Sequence, residues 1–307
     1  MPILEVQDLS VSFVQYTKGL RQKKVQAITS LDITMHEGEI LAVVGSSGSG
    51  KSLLAHAILG ILPSNARVSG TINYSGDELT PVRQASLRGR EIALVPQSVN
   101  YLDPLMSVGA QVRTSVHNDN PVEVQKKIFE RYHLDPDLDK KYPFQLSGGM
   151  ARRTLVSMAM VSGAKLIIAD EPTPGLDSIV IKEALSNFRE LADHGCAVMM
   201  ITHDLGSALQ IADKIAIFYA GTTVEVAPVK DFFGRGEKLR HPYTKALWRA
   251  LPQNEFVPIP GSQPLPNTLP SGCLFEPRCE TATRECSLKQ PKIQEIRGGM
   301  VRCIHAT

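Results

Sequence analysis

At 307 residues, 43% of them hydrophobic and 21% charged, the chain is large enough for one substantial core plus a smaller appendage. A net charge of +2 gives no case for nucleic acid or an acidic surface as partner. The opening "MPILEVQDLSVSF" has no basic segment leading into an apolar run, and no stretch reaches the ~18 apolar residues of a membrane span. A reducing cytosolic setting is therefore expected, with any work at a membrane done by docking.

Leu4, Val6, Leu9, Val11 and Phe13 alternate with polar residues, which predicts a half-buried strand with one break at Gln7-Asp8. "KGLRQKK" then reads as a solvated basic loop. "EILAVVG" is a continuous apolar run ending in Gly45, the pattern of a strand buried on both faces. Leu53, Leu54, Ala57, Ile58, Ile61 and Leu62 recur at helical spacing until Pro63 stops them. Residues from about 98 to 160 carry helical signals and polar loops, an inserted helical lobe. "KLIIAD" and "AVMMITH" read as buried strands separated by a helix over 178–193, and "KIAIFYAGTTVEVA" as a hairpin turning at Ala220-Gly221. Strands alternating with helices predict an α/β fold with a parallel sheet core and antiparallel additions. Residues 252–272 are proline-rich, a semi-rigid connector.

The chemistry starts at "GSSGSGKS": Gly45, Ser46, Ser47, Gly48, Ser49, Gly50, Lys51 and Ser52 match G-x-x-x-x-G-K-[ST] between a predicted strand and helix. Glycines let backbone N–H groups curl around phosphate oxygens, and the helix N-terminus adds positive potential. Lys51 would reach the β- and γ-phosphates, and the Ser52 hydroxyl would ligate Mg²⁺. A buried strand ending in Asp170-Glu171 supplies one carboxylate toward Mg²⁺ and another to orient or deprotonate water.

With these motifs in place, the chain resembles an ABC-transporter ATPase subunit. "LSGGM" (146–150) resembles the family signature, Gln97 in "VPQSVNYLDP" the Q-loop glutamine, and His203 in "MMITHD" the switch histidine. The resemblance implies a P-loop NTPase fold (ABC ATPase) with a parallel sheet core, an antiparallel β subdomain and an inserted helical subdomain. It implies that ATP is clamped between two subunits, with Ser147, Gly148 and Gly149 contacting the nucleotide held by the partner. Glu171 would activate water, His203 would contact the γ-phosphate, and Gln97 would link Mg²⁺ or water to the membrane subunit. Phe13, or else Tyr16, would stack on adenine. "PTPGLD" departs from the usual D-loop by Pro174 and Gly175 but keeps Asp177, and Ala151 and Arg152 depart from the usual signature helix. With Glu171 and His203 both present, a hydrolytically competent site is expected.

The tail narrows the resemblance. "HPYTKALWRALP", "IPGSQP" and "LPSGCLFEPRC" resemble the C-terminal extension of oligopeptide, dipeptide and nickel importer ATPases, so a cassette over 1–235 and an extension over 236–307 are expected. That branch implies a paralogous ATPase as heterodimer partner, two permeases and an extracytoplasmic solute-binding protein, with the chain peripheral on the cytoplasmic membrane face. The solute (peptide, nickel or metal chelate) stays open. Cys273, Cys279, Cys286 and Cys303 hold four of the five cysteines. The resemblance implies a [4Fe–4S] cluster there; four thiolates suit Zn²⁺ equally, and free thiols or disulfides are the remaining alternatives. His305 is a possible substitute ligand, and Cys196 reads as a small core residue. A soluble ABC ATPase of DNA repair or translation is disfavoured by the single cassette, and a small-molecule kinase or GTPase by the signature.

Overall fold

A computed structural model describes residues 1–16, 21–117, 119–175 and 178–306. In chain order the first elements are β1 (Leu4–Tyr16), β2 (Gln22–Met35), β3 (Ile40–Gly45), α1 (Lys51–Leu59), β4 (Ala66–Tyr74), β5 (Asp77–Glu78), α2 (Pro81–Leu87), β6 (Ile92–Val95), α3 (Val108–Thr114), α4 (Pro121–Arg131) and α5 (Gly148–Val161). There follow β7 (Leu166–Asp170), α6 (Ser178–Asp193), β8 (Ala197–Thr202), α7 (Leu205–Ile211), β9 (Lys214–Tyr219), β10 (Thr222–Pro228), α8 (Pro242–Arg249), α9 (Arg284–Leu288), β11 (Gln294–Ile296) and β12 (Gly299–Val301). They fall into two compact units, one built from 1–36, 41–79 and 203–307, the other from 37–40 and 80–202.

In the first unit, β1 lies between β2 and β4, and β5 extends the far side, making a four-stranded antiparallel sheet. The break expected at Gln7-Asp8 is a bulge: the β1–β4 register shifts between Gln7 and Ser10, and Asp8 takes φ 48°. The Asp8 amide, freed from the ladder, donates to Asp32 Oδ1 at 2.9 Å. The basic loop is shorter than its composition suggested, because Gln22, Lys23 and Lys24 already pair with Tyr16, Gln15 and Val14. The second sheet of this unit begins at β3, every residue of it buried, which pairs in parallel with β9. The β9–β10 hairpin turns at Ala220 (φ 48°) and Gly221 (φ 87°), two left-handed residues as a tight primed turn requires. A Cβ on Gly221 would stand 2.5 Å from the Ala27 carbonyl, so the glycine is fixed by space as well as by φ. Helix α1 stops at Leu59, four residues before Pro63, because Gly60 (φ 66°) turns left-handed, its N–H going to Ala57 O and that of Ile61 to His56 O.

The C-terminal tail extends this sheet: β12 pairs with β10, and β11 with β12. Arg240, 2% exposed, is the tail's anchor. Its guanidinium meets Glu225 at 3.2 Å and Asp231 at 2.8 Å, and donates to the Ile296 and Arg297 carbonyls. The Glu225 carboxylate also accepts from the Arg240 and His241 amides at 2.9 and 2.8 Å. Arg302 adds an ion pair to Asp32 on β2. His241 is kept neutral by burial, its pKa pushed down to about 3, and Nδ1 accepts the Tyr243 amide at 3.0 Å.

In the second unit β6, β7 and β8 run parallel, with β7 and β8 buried at every position. Over residues 98–160 the helices are α3, α4 and α5. Ser107, Asn120 and Ser147 cap these three helices through their side-chain oxygens. Cys196 is a core residue, buried with its thiol donating to Ala164 O at 3.3 Å. Among the described residues no helix is long and apolar enough to cross a membrane.

Candidate nucleotide site and cysteine tail

In the first unit, Gly45 ends β3 and Gly50 (φ 97°) precedes α1, so the loop between them meets a helix N-terminus. A Cβ on Gly45 would sit 2.7 Å from Phe218 O, and Gly48 (φ 77°) and Gly50 hold backbone angles that favour glycine. Ser46, Ser47 and Gly48 are exposed, whereas Ser49 is buried and Gly50 and Ser52 are half-buried. Lys51 folds back over the loop, its Nζ donating to Gly45 O at 2.8 Å and Ser46 O at 3.1 Å. The lysine charge is thereby held against two carbonyls of the loop. Phe13 is half-buried on β1, opposite Val25 and Ala66. His203 is exposed directly after β8, and the adjoining Asp204 caps α7. The Tyr16 side chain and Asp177 lie outside the described residues.

The second unit holds Gln97, the signature and the acidic pair. Gln97 is exposed one residue beyond β6 and Pro96. Ser147 is exposed at the start of α5, its Oγ accepting the Met150 amide at 3.3 Å. A Cβ on Gly148 or Gly149 would meet nothing within 4 Å, and neither has a positive φ. Nothing inside the described chain therefore demands glycine there, although glycine in a helix costs roughly 0.5–1 kcal/mol. Asp170 closes β7 and Glu171 follows at φ 48°, both buried, with the Glu171 amide donating to Ile201 O at 2.9 Å. A left-handed glutamate costs of order 1 kcal/mol, strain of the kind that gathers at functional positions.

In the sequence Arg152 stands only as a departure from the usual signature helix; the structure gives it a place. It is buried, donates from Nη1 to Pro96 O at 2.9 Å, and burial holds its pKa below the usual range while Asp170 and Glu171 offset that loss. It shares the buried side of α5 with Ala151, Thr154, Leu155, Val156, Ser157 and Ala159, but the adjacent Arg153 leaves the sequence without a signal that singles it out. One guanidinium thus ties the residue before Gln97 to the neighbourhood of the acidic pair.

The metal centre expected in the tail is not seen among the described residues. The four cysteines come within electrostatic reach of one another: burial pushes the Cys273 thiol up to about 11, and Cys303, Cys286 and Cys279 push in the same direction. Yet no metal centre is assembled; among the described residues no three His, Cys, Asp or Glu side chains form a group able to hold a metal ion. Three of the sulfurs have local polar contacts. Cys279 Sγ lies 3.3 Å from Thr281 Oγ1, Cys286 Sγ accepts the Thr283 amide at 3.5 Å, and Cys303 Sγ accepts the His305 amide at 3.4 Å. His305 points Nε2 at Thr283 Oγ1, and all five cysteines are free.

The ABC transporter family matches residues 28–174, and the oligopeptide/dipeptide transporter C-terminal region matches residues 224–286. The oligopeptide transport ATP-binding protein OppD of Haemophilus influenzae is 35% identical, over 98% of this chain and 96% of its own length. A putative peptide import ATP-binding protein of Brucella melitensis is 34% identical over 98% and 94%. The chain belongs to the ABC ATP-binding proteins of the oligopeptide/dipeptide importer family. Its fold is similar to that of the ATP-binding cassette MJ0796 in a dimer bound to ADP and Pi, with TM-score 0.64 and 21% identity, covering 74% of this chain and 98% of that one. This ABC ATPase hydrolyses ATP as the energising subunit of an importer, and repair or translation ATPases are set aside.

Proposed function

We propose that the chain powers uptake of oligopeptides or dipeptides by closing on ATP with a paralogous ATPase. Gly45–Ser52 would hold the phosphates from one side, with Ser52, Gln97 and Asp170 as the Mg²⁺ set. Ser147, Gly148 and Gly149 would cover the nucleotide held by the partner, Glu171 would activate water and His203 would meet the γ-phosphate. The observation that carries this reading is the pair of signature glycines with open space before them: their smallness serves something arriving from outside. Phe13, or else Tyr16, would stack on adenine, and Asp177 would join the closing surface. Peptide cargo is supported by the relatives, an oligopeptide transport and a putative peptide import ATP-binding protein, which lend nothing to the nickel or metal-chelate expectations.

Permease subunits would dock on the helical lobe, where Tyr101, Leu105 and Phe144 are 54, 87 and 77% exposed. A solute-binding protein would deliver cargo from the other side, leaving this subunit peripheral on the cytoplasmic face, with the cassette at 1–235 and the extension at 236–307. Replacing Gly148 by Leu tests the clamp. The open space lets the chain fold unchanged, while the branched side chain blocks the incoming phosphates. ATP-dependent pairing of the two ATPases, followed by light scattering, is expected to vanish together with labelled-peptide uptake into liposomes carrying the permeases. Pairing that survives the leucine overturns the proposal.

The four-thiol donor set suits an iron–sulfur cluster or zinc in its chemistry, and the mutual proximity of the thiols supports that reading despite their present partners. Protein purified without oxygen is expected to be brown with about four irons per chain, or colourless with one zinc. Absence of both metals leaves free thiols.

A further inference from the structure

The proline-rich connector reaches the phosphate loop. Ser46 Oγ donates to Gln263 Oε1 at 2.6 Å, across 217 residues of sequence. The Tyr243 hydroxyl interacts with the same serine side chain. Tyr243 is not loose: its ring packs at 4.6 Å from that of Tyr219 and 5.3 Å from that of Phe275, which lies between Cys273 and Cys279. Arg278 ties the bundle to the connector, donating from Nη1 to Tyr219 Oη at 3.3 Å, from Nε to Pro260 O at 2.8 Å and from Nη2 to Ile259 O at 3.3 Å. Tyr219 ends the strand whose preceding residue, Phe218, confines Gly45. The tail thus touches Ser46 directly and packs on Tyr219, at the end of the strand whose Phe218 confines Gly45.

Gly45 and Ser46 carry the two carbonyls that hold Lys51 in place. We propose that Gln263, with Arg278 behind it, is a positioning residue for nucleotide binding: the tail fixes Ser46, and through Ser46 the lysine that meets the phosphates. The assignment rests on reading Gly45–Ser52 as the phosphate loop and adds the tail as its outer brace. A loop already held in its binding shape loses less freedom when ligand arrives, so the brace raises affinity without touching the reacting atoms.

Titration calorimetry of the full chain with Mg²⁺ and ADP tests the brace. Gln263→Ala and Arg278→Met are each expected to weaken binding about fivefold, and to raise KM for ATP while kcat stays at the parental value, the signature of lost binding rather than lost chemistry. In a Ser46→Ala background neither substitution should weaken binding further, because residues acting through one hydroxyl are not additive. Parental affinity in Gln263→Ala, tighter binding, or full additivity with Ser46→Ala each overturn the brace. Lys51→Ala serves as the reference: its loss of ADP binding keeps the phosphate-loop reading standing if the brace fails, and its failure to lose binding removes that reading instead.

Discussion

Replacing Glu171 by Gln is expected to lower ATP turnover by about 100- to 10,000-fold, the usual contribution of a positioned general base. Nucleotide affinity should survive. The glutamine keeps the length and hydrogen-bonding tip of the side chain, so the buried position at the end of β7 and the left-handed backbone at φ 48° can be retained. What disappears is the negative charge that would take a proton from water, and with it the step that reopens the clamp. Stable ATP-bound pairs without phosphate release are therefore expected, read by light scattering and a phosphate assay side by side. Arg152 sharpens the experiment. Its charge is balanced in part by Asp170 and Glu171, so neutralising one acid leaves a buried guanidinium less compensated. Arg152→Gln in addition should recover stability in the Glu171→Gln protein but not turnover. Unchanged turnover in the single variant would remove Glu171 from the reaction.

Replacing Arg240 by Ala is the largest stability loss expected, about 3–5 kcal/mol, because it strips the partner from two buried carboxylates. Glu225 is 0% exposed and Asp231 6% exposed, so neither can turn to water for compensation. The damage extends to β11–β12, since the guanidinium also holds the carbonyls of Ile296 and Arg297. Gly299 should respond in parallel: a Cβ there would stand 2.6 Å from Arg240 Cζ, so Gly299→Ala pushes on the same charge. The urea midpoint of unfolding measures both. A loss below about 1 kcal/mol in Arg240→Ala, the level of an exposed pair, would show that the cluster is not the tail's anchor.

Legibility in the sequence followed the distance over which each feature is encoded. The phosphate loop, the acidic pair after a buried strand and the hairpin at Ala220-Gly221 are local patterns, and each element lies where the pattern put it. Strand β2 was not anticipated, because "QKKVQAITSLDITM" starts with charges and its exposed-to-buried gradient blurs the alternation. The end of α1 was placed late for a similar reason: apolar spacing continues through Ile61 and Leu62, and only the left-handed Gly60 ends the helix. The Arg240–Glu225–Asp231 cluster and the Ser46–Gln263 bond join residues far apart in the chain, and nothing in their own neighbourhoods announces a partner. The cysteines lie between these cases: their spacing left cluster, zinc and free thiols all open, and the local contacts to Thr281, Thr283 and His305 are not legible in it.

Strand β12 lies along the outer rim of β10, pairing Val301 with Glu225 and Met300 with Val226. Without it, "TTVEVA" would offer water a row of unmatched amides and carbonyls on a run with a single charged residue. Such a rim recruits strands from neighbouring molecules. Truncation ahead of Gly299, which removes β12, should therefore cost solubility before it costs catalysis, and loss of the whole tail after a cut within the proline-rich connector would turn the subunit into a sticky one.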